Sequence, residues 1–177
     1  MDGTRLANAL ARQGATPAAM TWKAGVDALS FGGTKNGLMG VEAVVLFDPA
    51  LSWELELRRK RAGHLFSKHR FLAAQMVAYL TDGLWLDLAA RANAAMDRLA
   101  AGLRARGWAP DWEPQANLAF LRLPRAVHRR LREAGASYYL WGPLEGDPAE
   151  PVTCRLVCDW SKTEAEVDRF LEVAGGP

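Results

Sequence analysis

Cysteine is scarce in this sequence, with two in 177 residues. Cys154 and Cys158 do not form a C-x-x-C pair, and no second pair exists to complete a zinc site, so a thiolate-bound zinc is excluded. On a strand their spacing puts both thiols on one face, too far apart for an easy disulfide. Two buried free thiols in a reducing compartment are expected. An excess of one charge is also missing. The 22 Lys+Arg and 20 Asp+Glu leave a net charge of +2, too little to imply a nucleic-acid or membrane partner. No apolar run approaches the length of about 20 residues that spans a bilayer, and no charged-then-apolar leader follows Met1. A cytoplasmic location is the expectation. What remains is ordinary core material: 50% of residues are hydrophobic and 24% charged, enough for one large domain or two small ones.

The chain opens abruptly. Met1-Asp2-Gly3-Thr4-Arg5 runs almost directly into a helix pattern over 4–12, closed by Gly14, with no leading strand. Such an opening leads us to expect missing sequence upstream. Thr16-Pro17 can cap a short turn. Residues 26–31 read as a buried strand, the glycine-dense turn 32–37 follows, and 41–47 (VEAVVLF) reads as a second strand. Asp48-Pro49 opens a helix. A further helix is expected from Ser67 to about Tyr79, and after Gly83 a long one to Arg106, ended by Gly107. Leu88, Ala92, Ala95, Leu99 and Leu103 recur along it at helical spacing and mark a packing face. Residues 108–114 (WAPDWEP) read as a linker. Beyond them the order is strand 118–123, helix 126–134, strand 137–141, strand 152–160 and helix 163–173, with Ser161 and Glu164 as an S-x-x-E capping box. This is a small α+β unit whose sheet is expected to be partly antiparallel.

Lys35 is the residue of greatest chemical interest. It follows an apolar strand and sits among glycines in SFGGTKNG, where missing side chains leave room for a ligand. Partial burial there would lower its amine pKa toward the neutral form that condenses with an aldehyde. A solvated surface-loop lysine is the alternative. Asp2 lies 33 residues before it and is a candidate to pair with a protonated ring nitrogen. Thr34 and neighbouring amides could contribute to a phosphate site.

Several segments together resemble the L-threonine aldolases of low specificity, fold-type I pyridoxal-phosphate (PLP) enzymes of the β-eliminating lyase group. MDGTR followed by LANAL resembles their H-x-DGAR…NA segment, and DALSFGGTKNGLMGVEAVVLFDP their cofactor-lysine segment. RRKRAGHLFSKHRFLAAQ and DGLWL…ARANAAMDRLAAGL resemble the helices beyond it, and CRLVCDW their substrate-carboxylate strand. The resemblance covers nearly the whole chain. It implies an α/β fold: the C-terminal part of a fold-type I large domain with an interdomain helix (1–107), then a small α+β C-terminal domain (108–177).

The resemblance implies a role for each matching residue. Lys35 would carry PLP on its ε-amine, and Asp2 would pair with the pyridine nitrogen. Arg5 and Arg155 would grip the substrate carboxylate, Thr34 would help bind the phosphate, and either Lys60 or Lys68, both in the segment that reaches it, would contact it. No metal is implied. Read without the family, Arg155 is an exposed strand arginine. The basic run 58–70 is then a solvated helix face or an anionic-partner patch; with the family it becomes a phosphate or subunit contact. The implied activity is cleavage of L-threonine, L-allo-threonine and related β-hydroxy-α-amino acids to glycine and an aldehyde. A homodimer or homotetramer is implied as well. The family's upstream half has no counterpart here, and His64, His69 and His128 match none of its histidines. The expectation is therefore a partial chain, inactive and poorly soluble by itself. Two alternatives stay open: another fold-type I β-eliminating lyase, and an inactive half-domain that acts as a binding module.

Overall fold

Asp2–Gly3 does not lead straight into a helix but forms a two-residue strand, β1, which corrects the reading of the amino terminus. It pairs in parallel with β2 (Ala28–Gly32), Asp2 opposite Ser30 and Gly3 opposite Phe31. A pairing partner distant in sequence makes this strand, and no local pattern announces it. β3 (Glu42–Leu46) runs antiparallel to β2, giving a sheet of order β1-β2-β3. The structure, a computed structural model, describes residues 1–176. They fall into two compact units, Met1–Ala89 and the residues from Ala90 onward.

In the first unit α1 (Leu6–Gln13) ends at Gly14 in the left-handed region, as a C-terminal glycine permits. Its Leu6 and Leu10 pack with Leu29 and Phe31 of β2, Tyr79 of α4 (Arg70–Leu80) and Leu88 of α5 (Leu84–Arg104). Thr16 caps α2 (Pro17–Met20) by accepting from the Ala19 amide at 3.2 Å. Asp48 accepts from the Ala50 amide at 2.9 Å and starts a single 3-10 turn, after which α3 (Ser52–Arg61) begins. Ser67 does not start a helix. Residues 67–69 form a turn in which Lys68 has a φ of 63°, and α4 begins only at Arg70. Asp82, with a φ of 51°, breaks the path between α4 and α5 beside Gly83.

The second unit is a wholly antiparallel sheet of order β4-β6-β5, formed by β4 (Leu118–Pro124), β5 (Tyr139–Trp141) and β6 (Pro151–Val157). Ala119, Leu121 and Leu123 face Leu156, Cys154 and Val152 across the β4–β6 pair, and all six are buried. Against them pack Met96, Leu99 and Leu103 of α5, Val127 and Leu131 of α6 (Arg125–Glu133), and Val167, Leu171 and Ala174 of α7 (Glu164–Gly175). The α5 stripe read from the sequence is thus a packing face, with Met96 added to it. Both cysteines are buried free thiols, and burial pushes each up to about 12. The capping box of α7 is Thr163 with Glu166, two residues later than Ser161 with Glu164. Ser161 instead donates its hydroxyl to Asp159 at 2.6 Å, and that local turn removes it from the cap. Among the described residues, no helix is long and apolar enough to cross a membrane.

His128 is fully buried between Tyr138, whose hydroxyl lies 2.8 Å from Nδ1, and the Val152 carbonyl, 3.0 Å from Nε2. Nε2–H donating to the carbonyl leaves Nδ1 to accept from the tyrosine, an arrangement that satisfies the neutral ring. Desolvation lowers its pKa, aided by the nearby Arg132 and Arg125 charges and opposed by the bonds to backbone carbonyls. The unfolded chain therefore binds a proton there that the folded chain refuses. This contribution to stability is complete above the ordinary value of about 6.5 and is lost as pH falls below it. Thermal melts between pH 7.5 and 5 are expected to show a steeper fall for the native protein than for His128→Gln; equal slopes would refute the neutral-ring account.

Candidate active site

The carboxyl ends of the parallel pair β1–β2 lie together. A Cβ built on Gly32 would stand 2.8 Å from the Thr4 Cα and 2.8 Å from its carbonyl oxygen, so the two backbones touch where both strands end. Ligand sites of open α/β sheets form outside strand carboxyl ends. Asp2 is on β1, and Lys35 lies in the 3-10 turn Thr34–Asn36 that follows β2. This sheet edge therefore brings together the two residues whose sequence separation carried so little information.

Asp2 is prepared as an anion. The Thr4 side chain and the Thr4 amide, the latter at 2.9 Å, both donate to Oδ1. These bonds hold its carboxyl below the ordinary carboxylate value, with further help from the Lys35 charge. Oδ2 accepts no hydrogen bond among the described residues and is left for an external N–H donor. An ionised carboxylate with one open oxygen fits the ring nitrogen of a pyridinium.

Lys35 itself is exposed, which corrects the expectation of a partly buried lysine. The glycines before it serve the backbone rather than a ligand: a Cβ on Gly33 would meet the Val41 carbonyl at 2.8 Å and Leu38 Cδ1 at 2.5 Å. Gly37, with a φ of 116°, ends the turn in the left-handed region. Thr34 donates its amide to Glu42 at 3.3 Å and its hydroxyl to the Val41 carbonyl at 3.4 Å, so both donors are engaged within the chain.

The residue that anchors this turn is one that sequence reasoning passed over. Asn36 is buried, and its Nδ2 donates to the Tyr79 hydroxyl at 2.5 Å and to the Trp85 carbonyl at 2.8 Å. Phe31 stacks edge-on against Trp85 at 5.6 Å and tilted against Tyr79 at 6.0 Å, closing the same corner. Desolvation raises the Tyr79 phenol, partly offset by the Asn36 bond. A polar residue after Lys35 in a glycine turn was the only available signal, and polar residues are common in turns.

The remaining candidates are dispersed. Arg5 is half-buried at the entry to α1. Lys60 lies on the exposed face of α3 and Lys68 in the exposed turn before α4; neither side chain makes a hydrogen bond or ion pair among the described residues. Lys68 is held in the left-handed region without being glycine, an uncommon backbone state that costs free energy and clusters at functional sites. Arg155 belongs to the second unit, exposed on β6.

Comparison with known proteins decides the family, since residues 1–124 match the beta-eliminating lyases. The chain belongs to the beta-eliminating lyase family. A low specificity L-threonine aldolase of Pseudomonas sp. (strain NCIMB 10558) is 40% identical over 168 residues, which are 94% of this chain and 46% of that protein. The threonine aldolase of Leishmania major superposes with a TM-score of 0.85 at 30% identity, over 98% of this chain and 49% of that one. Serine palmitoyltransferase of Sphingomonas wittichii shares the fold alone, with a TM-score of 0.62 at 20% identity over 86% of this chain and 40% of that one. The lyase fold is thus the α/β architecture of fold-type I PLP enzymes, and the chain spans about half the length of the relatives it matches.

Replacing Asn36 by Ala would remove one donor from the part-buried Trp85 carbonyl and leave the buried Tyr79 hydroxyl unmatched. A loss of about 1–3 kcal/mol in denaturant unfolding is expected. Unchanged stability would show that the turn does not depend on this contact.

Proposed function

We propose that this chain supplies the lysine-bearing part of a PLP-dependent aldolase that cleaves L-threonine, L-allo-threonine and related β-hydroxy-α-amino acids to glycine and an aldehyde. The observation that carries this reading is the pairing of an ionised Asp2, one oxygen open, with Lys35 at the shared end of two parallel strands. Its similarity to threonine aldolases favours carbon–carbon cleavage over elimination.

In this reading the ε-amine of Lys35 would hold PLP. When bound, PLP supplies an electron sink for the pair released from the Cα–Cβ bond. Asp2 would favour the protonated form of the ring nitrogen. Arg155 and Arg5 are each proposed as candidates for the substrate carboxylate, because a guanidinium can hold it by two-pronged hydrogen bonding and so orient the scissile bond. The β-hydroxyl proton leaves as the aldehyde forms, and a proton returns to Cα to give glycine. Lys60 and Lys68 are proposed for the phosphate, with Thr34 contributing only where its internal bonds are exchanged. We assign residues 1–107 to the cofactor-binding domain with its interdomain helix and 108–177 to the small domain, in a homodimer or homotetramer.

The protein mixed with PLP and reduced with borohydride is expected to carry the label at Lys35, and Lys35→Ala to carry none there. A native protein unlabelled at Lys35 would end the proposal. In a protein extended to the relatives' length, Asp2→Asn is expected to keep the label yet lower threonine cleavage about a hundredfold or more, the scale for removing one preorganised charge. Release of pyruvate and ammonia instead of acetaldehyde and glycine would reassign the chain to an eliminating lyase.

A further inference from the structure

The outward face of the second unit's sheet carries an aromatic group around Arg155. Register places Arg155 directly between Phe120 on β4 and Tyr139 on β5. The Arg155 guanidinium carbon lies 5.5 Å from the centre of the Tyr139 ring. Tyr139 is itself held edge-on by Trp141 at 4.4 Å, and Trp141 stacks against Phe120 at 5.8 Å. Arg155 makes no ion pair or hydrogen bond through its side chain among the described residues.

Other arginines of this unit differ in one respect. Arg98 gives its N–H edge to Asp168 in two bonds of 2.8 and 2.7 Å. Arg132 also stacks on a tyrosine, with its guanidinium 4.6 Å from the Tyr138 ring, but it donates its edge to the Ala136 and Tyr138 carbonyls. A guanidinium meets an aromatic ring and a carboxylate in different ways: the ring attracts the cation, and the planar N–H fork receives the carboxylate. At Arg155 the ring contact is present and the fork is open.

We propose that Tyr139 is a positioning residue that holds the Arg155 guanidinium for a substrate carboxylate, an inference that rests on the carboxylate role given to Arg155 above. The ring restricts a long side chain before the ligand arrives, so less motion is lost on binding. It does so without competing for the fork, as an acidic neighbour would. Phe120 and Trp141 fix the ring in turn.

The test uses the full chain and acetate as a carboxylate probe, with chloride as the control anion, read from arginine Nε–H signals in nitrogen-15 NMR. In the native protein the Arg155 signal, identified by its loss in Arg155→Lys, is expected to show a ring-current displacement and to move with acetate. Tyr139→Ala is expected to remove the displacement and weaken acetate binding about two- to fivefold, the scale of an exposed cation–π contact. Tyr139→Phe is expected to restore both. The same affinity in Tyr139→Ala as in the native protein overturns the positioning role, as does failure of Tyr139→Phe to restore it. If the native Arg155 signal ignores acetate, the carboxylate role of Arg155 falls first and the present inference with it. Dispersion of the remaining signals reports that each variant is folded.

Discussion

Close approach of two backbone segments underlies the candidate site. A Cβ on Gly3 would stand 2.3 Å from Leu29 Cδ1 and 2.7 Å from the Ser30 carbonyl, and one on Gly32 would press into the Thr4 backbone. Neither glycine has a φ in the left-handed region, so both are needed for space rather than for conformation. Without this contact β1 would lose its partner, and Asp2 and Lys35 would have no common edge. A two-residue strand has almost no stability of its own. It is held by the Ser30 amide donating to the Met1 carbonyl at 3.1 Å, and by the Met1 nitrogen donating to the Ala28 carbonyl at 2.7 Å.

That edge then acquires chemistry from two local devices. Thr4 spends its amide and hydroxyl on one oxygen of Asp2, which stabilises the anion while leaving the other oxygen open. Asn36 ties the lysine turn to Tyr79 and Trp85, so an exposed amine stands on a buried foundation. Exposure of Lys35 and rigidity of its turn are compatible because the two properties belong to adjacent residues that face opposite ways. A reactive amine must be reached by its partner aldehyde, whereas the backbone that aims it gains from being fixed.

Much of this was legible beforehand, and the misses have specific causes. The strands 118–123 and 41–47, the α5 stripe and the Gly14 terminus follow from periodicity and local backbone preference, which act within a few residues. β1 was missed because a pairing 28 positions away creates it, Asp2 with Ser30. S-x-x-E and T-x-x-E overlap at the start of α7, and only the competing Asp159 turn separates Ser161 from the true cap Thr163. Local sequence cannot tell glycines that admit a ligand from glycines that admit backbone, and the missing side chains of Gly32 and Gly33 make room for Thr4 and for Val41. Asn36 shows in the sequence only as a polar turn residue, since its importance lies in residues more than 40 positions away.

The small sheet shows how one alternation serves two ends. Along β6, Val152, Cys154 and Leu156 point inward and are buried, and Thr153, Arg155 and Val157 therefore point outward. A slip of one residue would bury the Arg155 charge and expose the core, so the apolar residues fix the register that presents the arginine. Across the pair, Ala119, Leu121 and Leu123 impose the same phase on β4 and set Phe120 beside Arg155. The outward position of Arg155 is accordingly determined by its apolar neighbours and needs no contact of its own. The ring of Tyr139 adds what register does not supply, a restraint on where along the outward face the guanidinium lies.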